Sequence, residues 1–285
     1  VRAIMVQKNN DIGAQPHTRY TLKKSEAFLM AMDDKKLIER IANGEKIQAG
    51  EEISSGYRAE LMRLMVVFVD SELSGAAGFA EQINEGPGLR ERQVAAQIVA
   101  DKFDHAEKVL TLLKEFGVDN RLYVASHAWE ARLSRYLDLG NRRIGGDKRL
   151  NVFHYPLQGW TDALVMNALM AAASGIQLKE LRNASYAPLA DAMRAVAEGE
   201  SRHAELGERG LQDLIDRNGT DAAQVAVEFW YPKVAATFGR SDSQHNDRFR
   251  AYGLITKTND QRLNEWEGLV NDVLTRLGLT VPDTE

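Results

Sequence analysis

Apolar residues return every three or four positions along most of the chain, the spacing that lines one face of an α-helix. Read on that period, a first helix is predicted over Leu22–Ala42, ending at Asn43-Gly44. A second covers Ser55–Gln82 and stops before Gly86-Pro87-Gly88, and a third covers Leu89–Phe116 with Gly117 as its C-terminal stop. The fourth, Asn120–Leu139, gives way to a polar loop, Gly140–Arg149, and a short extended piece, Asn151–Tyr155. A fifth runs from Leu157 to Ser174-Gly175, and a sixth, after Asn183–Pro188, continues to Asn218. Two or three further helices fill the remainder up to a loose tail, Val281–Glu285. Only six prolines interrupt this pattern, and Ala, Leu, Glu, Arg and Met dominate it, so the predicted fold is all-α. No short-period repeat or low-complexity linker divides the chain. Residues 51–285 are expected to form one helical domain, preceded by an N-terminal helical extension over residues 1–50. Four of the helices are long enough for a bundle about 40 Å high, because ~27 residues rise 1.5 Å each.

Composition narrows the partners. Lys and Arg number 36 against 41 Asp and Glu, a net charge of -5, and no basic stretch tracks a phosphate backbone, which argues against nucleic acid. The absence of cysteine excludes disulfides, zinc ribbons, iron–sulfur clusters and thiol nucleophiles. The apolar runs at Met65–Val69 and Ala168–Ala173 are far too short to span a bilayer, and the start lacks a signal peptide's apolar core. The expectation is a cytoplasmic protein with no membrane segment.

Certain polar residues fall on apolar stripes. Glu72 shares a face with Met65, Phe68, Ala76 and Phe79, where a lone carboxylate is expensive to bury. His105 lies on the stripe of Ile98, Val109 and Leu112, with Lys102 one turn earlier on the same side. Glu200 and His203, three apart, extend the face of Leu189, Met193 and Val196 and aim at one point. Singly these are weak signals, since Glu-x-x-His pairs arise by chance. Together they are stronger: 33 residues separate Glu72 from His105, which returns both to one level of a bundle. Di-metal bundles of the ferritin-like type take a Glu from each of two helices and a Glu-x-x-His from each of the other two, and half of that set stands here. The other half is replaced. Lys102 occupies the place of the first Glu-x-x-His glutamate, and Ala171 that of the fourth carboxylate, with Asn167, Ser174 and Gln177 as its polar neighbours. Asp101, one turn before His105, is the available substitute, whereas Asp104 faces away.

Several segments extend the pattern into a family resemblance: Tyr57-Arg58 leading to Ser71-Glu72; Val152-Phe153-His154-Tyr155-Pro156 followed by Trp160-x-Asp162; Ser185-Tyr186-Ala187-Pro188; Glu200-x-x-His203; Phe229-Trp230-Tyr231-Pro232; and Thr258-Asn259-Asp260. The chain resembles the phenylacetic acid catabolic family of ferritin-like oxygenases. The resemblance implies a ferritin-like four-helix bundle core with additional helices. It also implies a di-iron centre acting on an aromatic CoA thioester, and association with a related helical subunit or as a homodimer. The family's ligand positions fall on Glu72, Lys102, His105, Ala171, Glu200 and His203, of which two have lost their carboxylates.

Charge shows how the two losses belong together. Two carboxylates and a lysine total -1, so two divalent ions would leave +3 buried, and a full di-iron centre does not fit. Without metal, one protonated histidine brings Glu72, Glu200 and Lys102 to neutrality. A single iron or manganese ion on Glu72, His105, Glu200 and His203 is the intermediate case. Three readings follow: a non-catalytic or scaffolding subunit of an aromatic acyl-CoA ring oxygenase, an enzyme with an altered mononuclear centre, or a di-metal site completed by Asp101 or an external ligand. In all of them Glu72, Lys102, His105, Glu200 and His203 are the candidate site. Arg63, Arg142, Arg143 and Lys148 are the exposed basic candidates for CoA, and the tryptophans (129, 160, 230, 266) read as core or interface. His17, His127, His154 and His245 fit no ligand spacing.

Overall fold

A computed structural model describes residues 34–142 and 144–283. Helix α1 covers 34–42, and the predicted start of that helix, from Leu22, lies outside the described residues, as do His17 and Arg143. The remaining helices are α2 (Ser55–Gln82), α3 (Leu89–Lys114), α4 (Asn120–Ala125), α5 (Trp160–Leu181), α6 (Ala187–Asn218), α7 (Asp221–Ala235), α8 (Gln244–Ala251) and α9 (Asn259–Arg276). No strand occurs among the described residues, so the all-α class holds; one isolated bridge joins Ile47 to Tyr186.

Local chemistry sets the helix ends. The Ser54 side chain accepts from Tyr57 N at the start of α2, and Thr258 with Gln261 forms a capping box on α9. Pro188 stands in the first turn of α6, where no N–H is missed, and Gly219 ends that helix at a φ of +79°. Packing then pairs α2 with α3 and α5 with α6, and α3 lies against α6 to close the ferritin-like bundle.

Two apolar clusters fill it. One holds Tyr57 to Leu73 of α2, Ala106 to Leu113 of α3 and Leu189 to Val196 of α6, with Leu37 and Ile47 from residues 34–50. The other holds Ala76 and Phe79 of α2, Ile98 and Val99 of α3, Leu211 to Ile215 of α6, and most of α5, α7 and α9. On α3 and α6 the change from one cluster to the other brackets Lys102, His105, Glu200 and His203, and on α2 it falls directly after Glu72, between Leu73 and Ala76. These therefore form a seam across the bundle rather than a patch at its end.

Three predicted elements differ. The fourth helix stops at Ala125 instead of Leu139. Beyond it the carbonyls of Ala128, Trp129 and Ala131, which a helix would direct to its own N–H groups, accept from the buried Arg149 guanidinium instead. The piece at Asn151–His154 is a 3-10 turn rather than extended, since among the described residues it has no strand to pair with. The fifth helix begins at Trp160 and passes through Ser174-Gly175 to Leu181. Burying Ile176, Leu178 and Leu181 outweighs the cost of about 1 kcal/mol of an interior glycine.

Candidate functional site

Facing positions on three helices bring the site together. Glu72 comes from α2, Lys102 and His105 from one stripe of α3, and Glu200 and His203 from one stripe of α6, all buried. Lys102 Nζ donates to both Glu72 oxygens and to Glu200 Oε1, each at 3.4 Å. Its aliphatic stem passes α2 at Gly75, where a Cβ would lie 3.6 Å from Cδ and 3.7 Å from Cε. His105 Nδ1 lies 3.4 Å from Glu200 Oε1 and 3.5 Å from Glu72 Oε2, between the two carboxylates but aligned for a hydrogen bond with neither. His203 Nδ1 is 3.2 Å from the same Glu200 Oε1. Glu200 thus collects nitrogen contacts from both helices.

The charges of this cluster support one another. Burial opposes the Lys102 ammonium, but the Glu200 and Glu72 carboxylates together outweigh it and hold the lysine above its ordinary value. Burial likewise disfavours the His105 imidazolium, yet contacts with Glu200 and Glu72 raise it to about 9. Burial alone would raise Glu200; Lys102, His105 and His203 instead keep it well below the usual carboxylate range. At neutral pH, two carboxylates, an ammonium and an imidazolium sum to zero.

His203 turns its other nitrogen away from the cluster. Nε2 lies 2.8 Å from Asp101 Oδ2, and Asn167 of α5 donates to the His203 backbone carbonyl at 3.3 Å. Asp101 therefore meets His203 across the α3–α6 interface, away from the Glu72 side of the cluster. Asp104 is exposed and paired with Lys108, as its phase on α3 predicts. Ala171 is buried one turn beyond Asn167 on α5, which runs antiparallel to α6 and so carries it to the level of Glu200. Among the other candidates, Trp129, Trp230 and Trp266 are buried and Trp160 is half-buried. Arg63 pairs with Glu60, while Arg142 and Lys148 are exposed.

One support had no readable signal in the chain. The stretch between α4 and α5 is strapped to the turn of α2 that carries Glu72: Lys148 N donates to Asp70, Leu150 N to Ser71 Oγ at 3.1 Å, and Arg149 to Ser74 Oγ at 2.7 Å. Tyr123 adds a 2.6 Å hydrogen bond to Asp70. Arg149 stands in a polar, glycine-rich stretch, where nothing in the spacing marks it for burial.

Ligand chemistry discriminates between metal contents. Among the described residues, Glu72, His105 and Glu200 offer three donor atoms within 4.8 Å of one another. The unaligned His105 Nδ1 is the buried orphan that one ion would satisfy. Two ions do not fit: the cluster has two carboxylates where neutralisation needs four, and an ammonium 3.4 Å from both of them.

A long helical bundle with carboxylates and histidines projecting from facing helices into its centre defines the ferritin-like class. Within that class the assignment is specific: residues 30–285 match the family described as phenylacetic acid catabolic protein, and the chain belongs to it. It is also similar to one of the subunits of the 1,2-phenylacetyl-CoA epoxidase from Escherichia coli (strain K12), with 25% identity over 254 residues that cover 87% of this chain and 76% of that relative. Among the described residues no helix is long and apolar enough to cross a membrane.

Proposed function

We propose that this chain is a non-catalytic or scaffolding subunit of a cytoplasmic aromatic acyl-CoA ring oxygenase, its metal centre converted to a polar network. The carrying observation is the Lys102 ammonium lodged between Glu72 and Glu200, a fixed positive charge in contact with both carboxylates. A CoA thioester is the ligand class for the assembly, and a related helical subunit or a second copy is the partner. Elemental analysis of protein produced with iron in excess should find clearly fewer than two ions per chain and no oxo-bridged di-iron absorption. Two tightly held irons per chain overturn the proposal. Light scattering should find a dimer, or a heteromer when the related subunit is co-expressed; a monomer at micromolar concentration under both conditions counts against the scaffolding role.

A second reading is favoured by the donor triad itself. Glu72, His105 and Glu200 would hold one iron or manganese ion, with His203 aligned by Asp101 beside it. Such an ion supplies Lewis acidity or one-electron chemistry when bound. It would take the place between Glu72 and Glu200 that Lys102 Nζ holds in this structure. A stoichiometry of one ion per chain, lost in Glu200→Gln, selects this reading over the first.

A further inference from the structure

We infer that Gly199 is a positioning residue: the space left by its missing Cβ lets the His105 ring present Nδ1 to Glu72 and Glu200. Gly199 lies inside α6, immediately before Glu200, where glycine is a poor helix former and alanine the best. A Cβ built there would come 2.8 Å from His105 Nε2 and 3.2 Å from Cε1. Contacts that short force a shift, and His105 has little room to make one. On its Nδ1 side it meets the two carboxylates at 3.4 and 3.5 Å, the His203 ring centroid is 6.1 Å away, and its side chain is only 5% exposed. The slot and the carboxylate it serves sit on consecutive residues, so one turn of α6 sets both the distance and the ring orientation.

Gly207 and Gly210 of the same helix are packed as closely, against Asn167 and Leu164, so the comparisons come from other helices. A Cβ at Gly75 would meet Lys102 only at ordinary contact distance, although Phe153 Cε1 comes to 3.2 Å, and at Gly268 of α9 nothing lies within 4 Å. Gly268→Ala is therefore a helix-propensity control, and Gly75→Ala an intermediate case. The role assigned to Gly199 rests on the proposed function only for the importance of His105 to the cluster; the steric relation stands by itself.

The test uses the full chain with histidines labelled in 15N. Gly268→Ala should raise the melting temperature by about 2–4 °C, the yield of the propensity gain alone. Gly199→Ala should lower it by at least about 4 °C and move the ring 15N shifts of His105, assigned by its loss in His105→Ala, while those of His245 stay in place. In the His105→Ala background, Gly199→Ala should be neutral or stabilising, because the clash has gone. That double variant also decides the matter if Gly199→Ala alone does not fold. The inference is overturned if Gly199→Ala melts like the Gly268 control with His105 shifts unchanged, or if it is equally harmful without the imidazole. Lys102→Met tests the proposed function separately, since a failure of either substitution leaves the prediction for the other intact.

Discussion

Replacing Lys102 by methionine keeps most of the buried stem and removes the ammonium alone. In the parent, that ammonium makes three 3.4 Å contacts with two buried carboxylates, and the Lys102 side chain is only 9% exposed. In Lys102→Met, Glu72 and Glu200 keep only imidazole contacts, His105 with both and His203 with Glu200, so the cluster loses one positive charge. Breaking a buried ion pair from one side costs about 3–5 kcal/mol. For a chain of this length each kcal/mol lowers the melting temperature by roughly 2–4 °C, so the loss should be on the order of 10 °C by calorimetry at pH 7.5. The sign of its pH dependence follows. A carboxylate left short of a partner is relieved by protonation, so the gap between variant and parent should narrow from pH 8 to pH 5. A variant melting within a degree of the parent across that range would refute the reasoning, because the ammonium would then be hydrated rather than held between the glutamates.

His105, raised from its ordinary 6.5 to about 9, contributes roughly 3 kcal/mol that is fully present below pH about 6.5 and lost as pH rises through about 9. The melting difference between the parent and His105→Asn should therefore shrink over that window, and a difference that grows with pH contradicts the assignment. Lys102→Glu combined with Ala171→Asp rebuilds four carboxylates at one level of the bundle. It should be less stable than the parent without metal and gain about 2.7 kcal/mol at a hundredfold excess of Fe(II) over its dissociation constant, read as a shift in melting temperature; indifference to Fe(II) sinks the placement of Ala171. Arg149→Ala removes the guanidinium that holds the carbonyls of Ala128, Trp129 and Ala131 and should cost about 3 kcal/mol. Limited proteolysis should then cut within residues 126–150, and an unchanged digestion pattern argues against the strap.

The period of 3.6 residues was sufficient to place Ser55–Gln82 and the sixth helix to Asn218, because their apolar stripes run between the breaks that the sequence itself carries, Gly86-Pro87-Gly88 and Asn183–Pro188. The same period put Glu72, Lys102, His105, Glu200 and His203 on inward faces, since a polar residue on an apolar stripe is a local property of one helix. It failed between Ala125 and Trp160, where the backbone is held by Arg149, Ser74 and Asp70 from elsewhere in the chain. Helical spacing also left Asp101 as a substitute ligand near His105, whereas contact between α3 and α6 gives it to His203. Distances between helices decide such partners, and no single helix carries them. Burial among facing charges, rather than the identity of any one residue, makes Lys102 an ammonium shared by two glutamates and keeps His105 protonated.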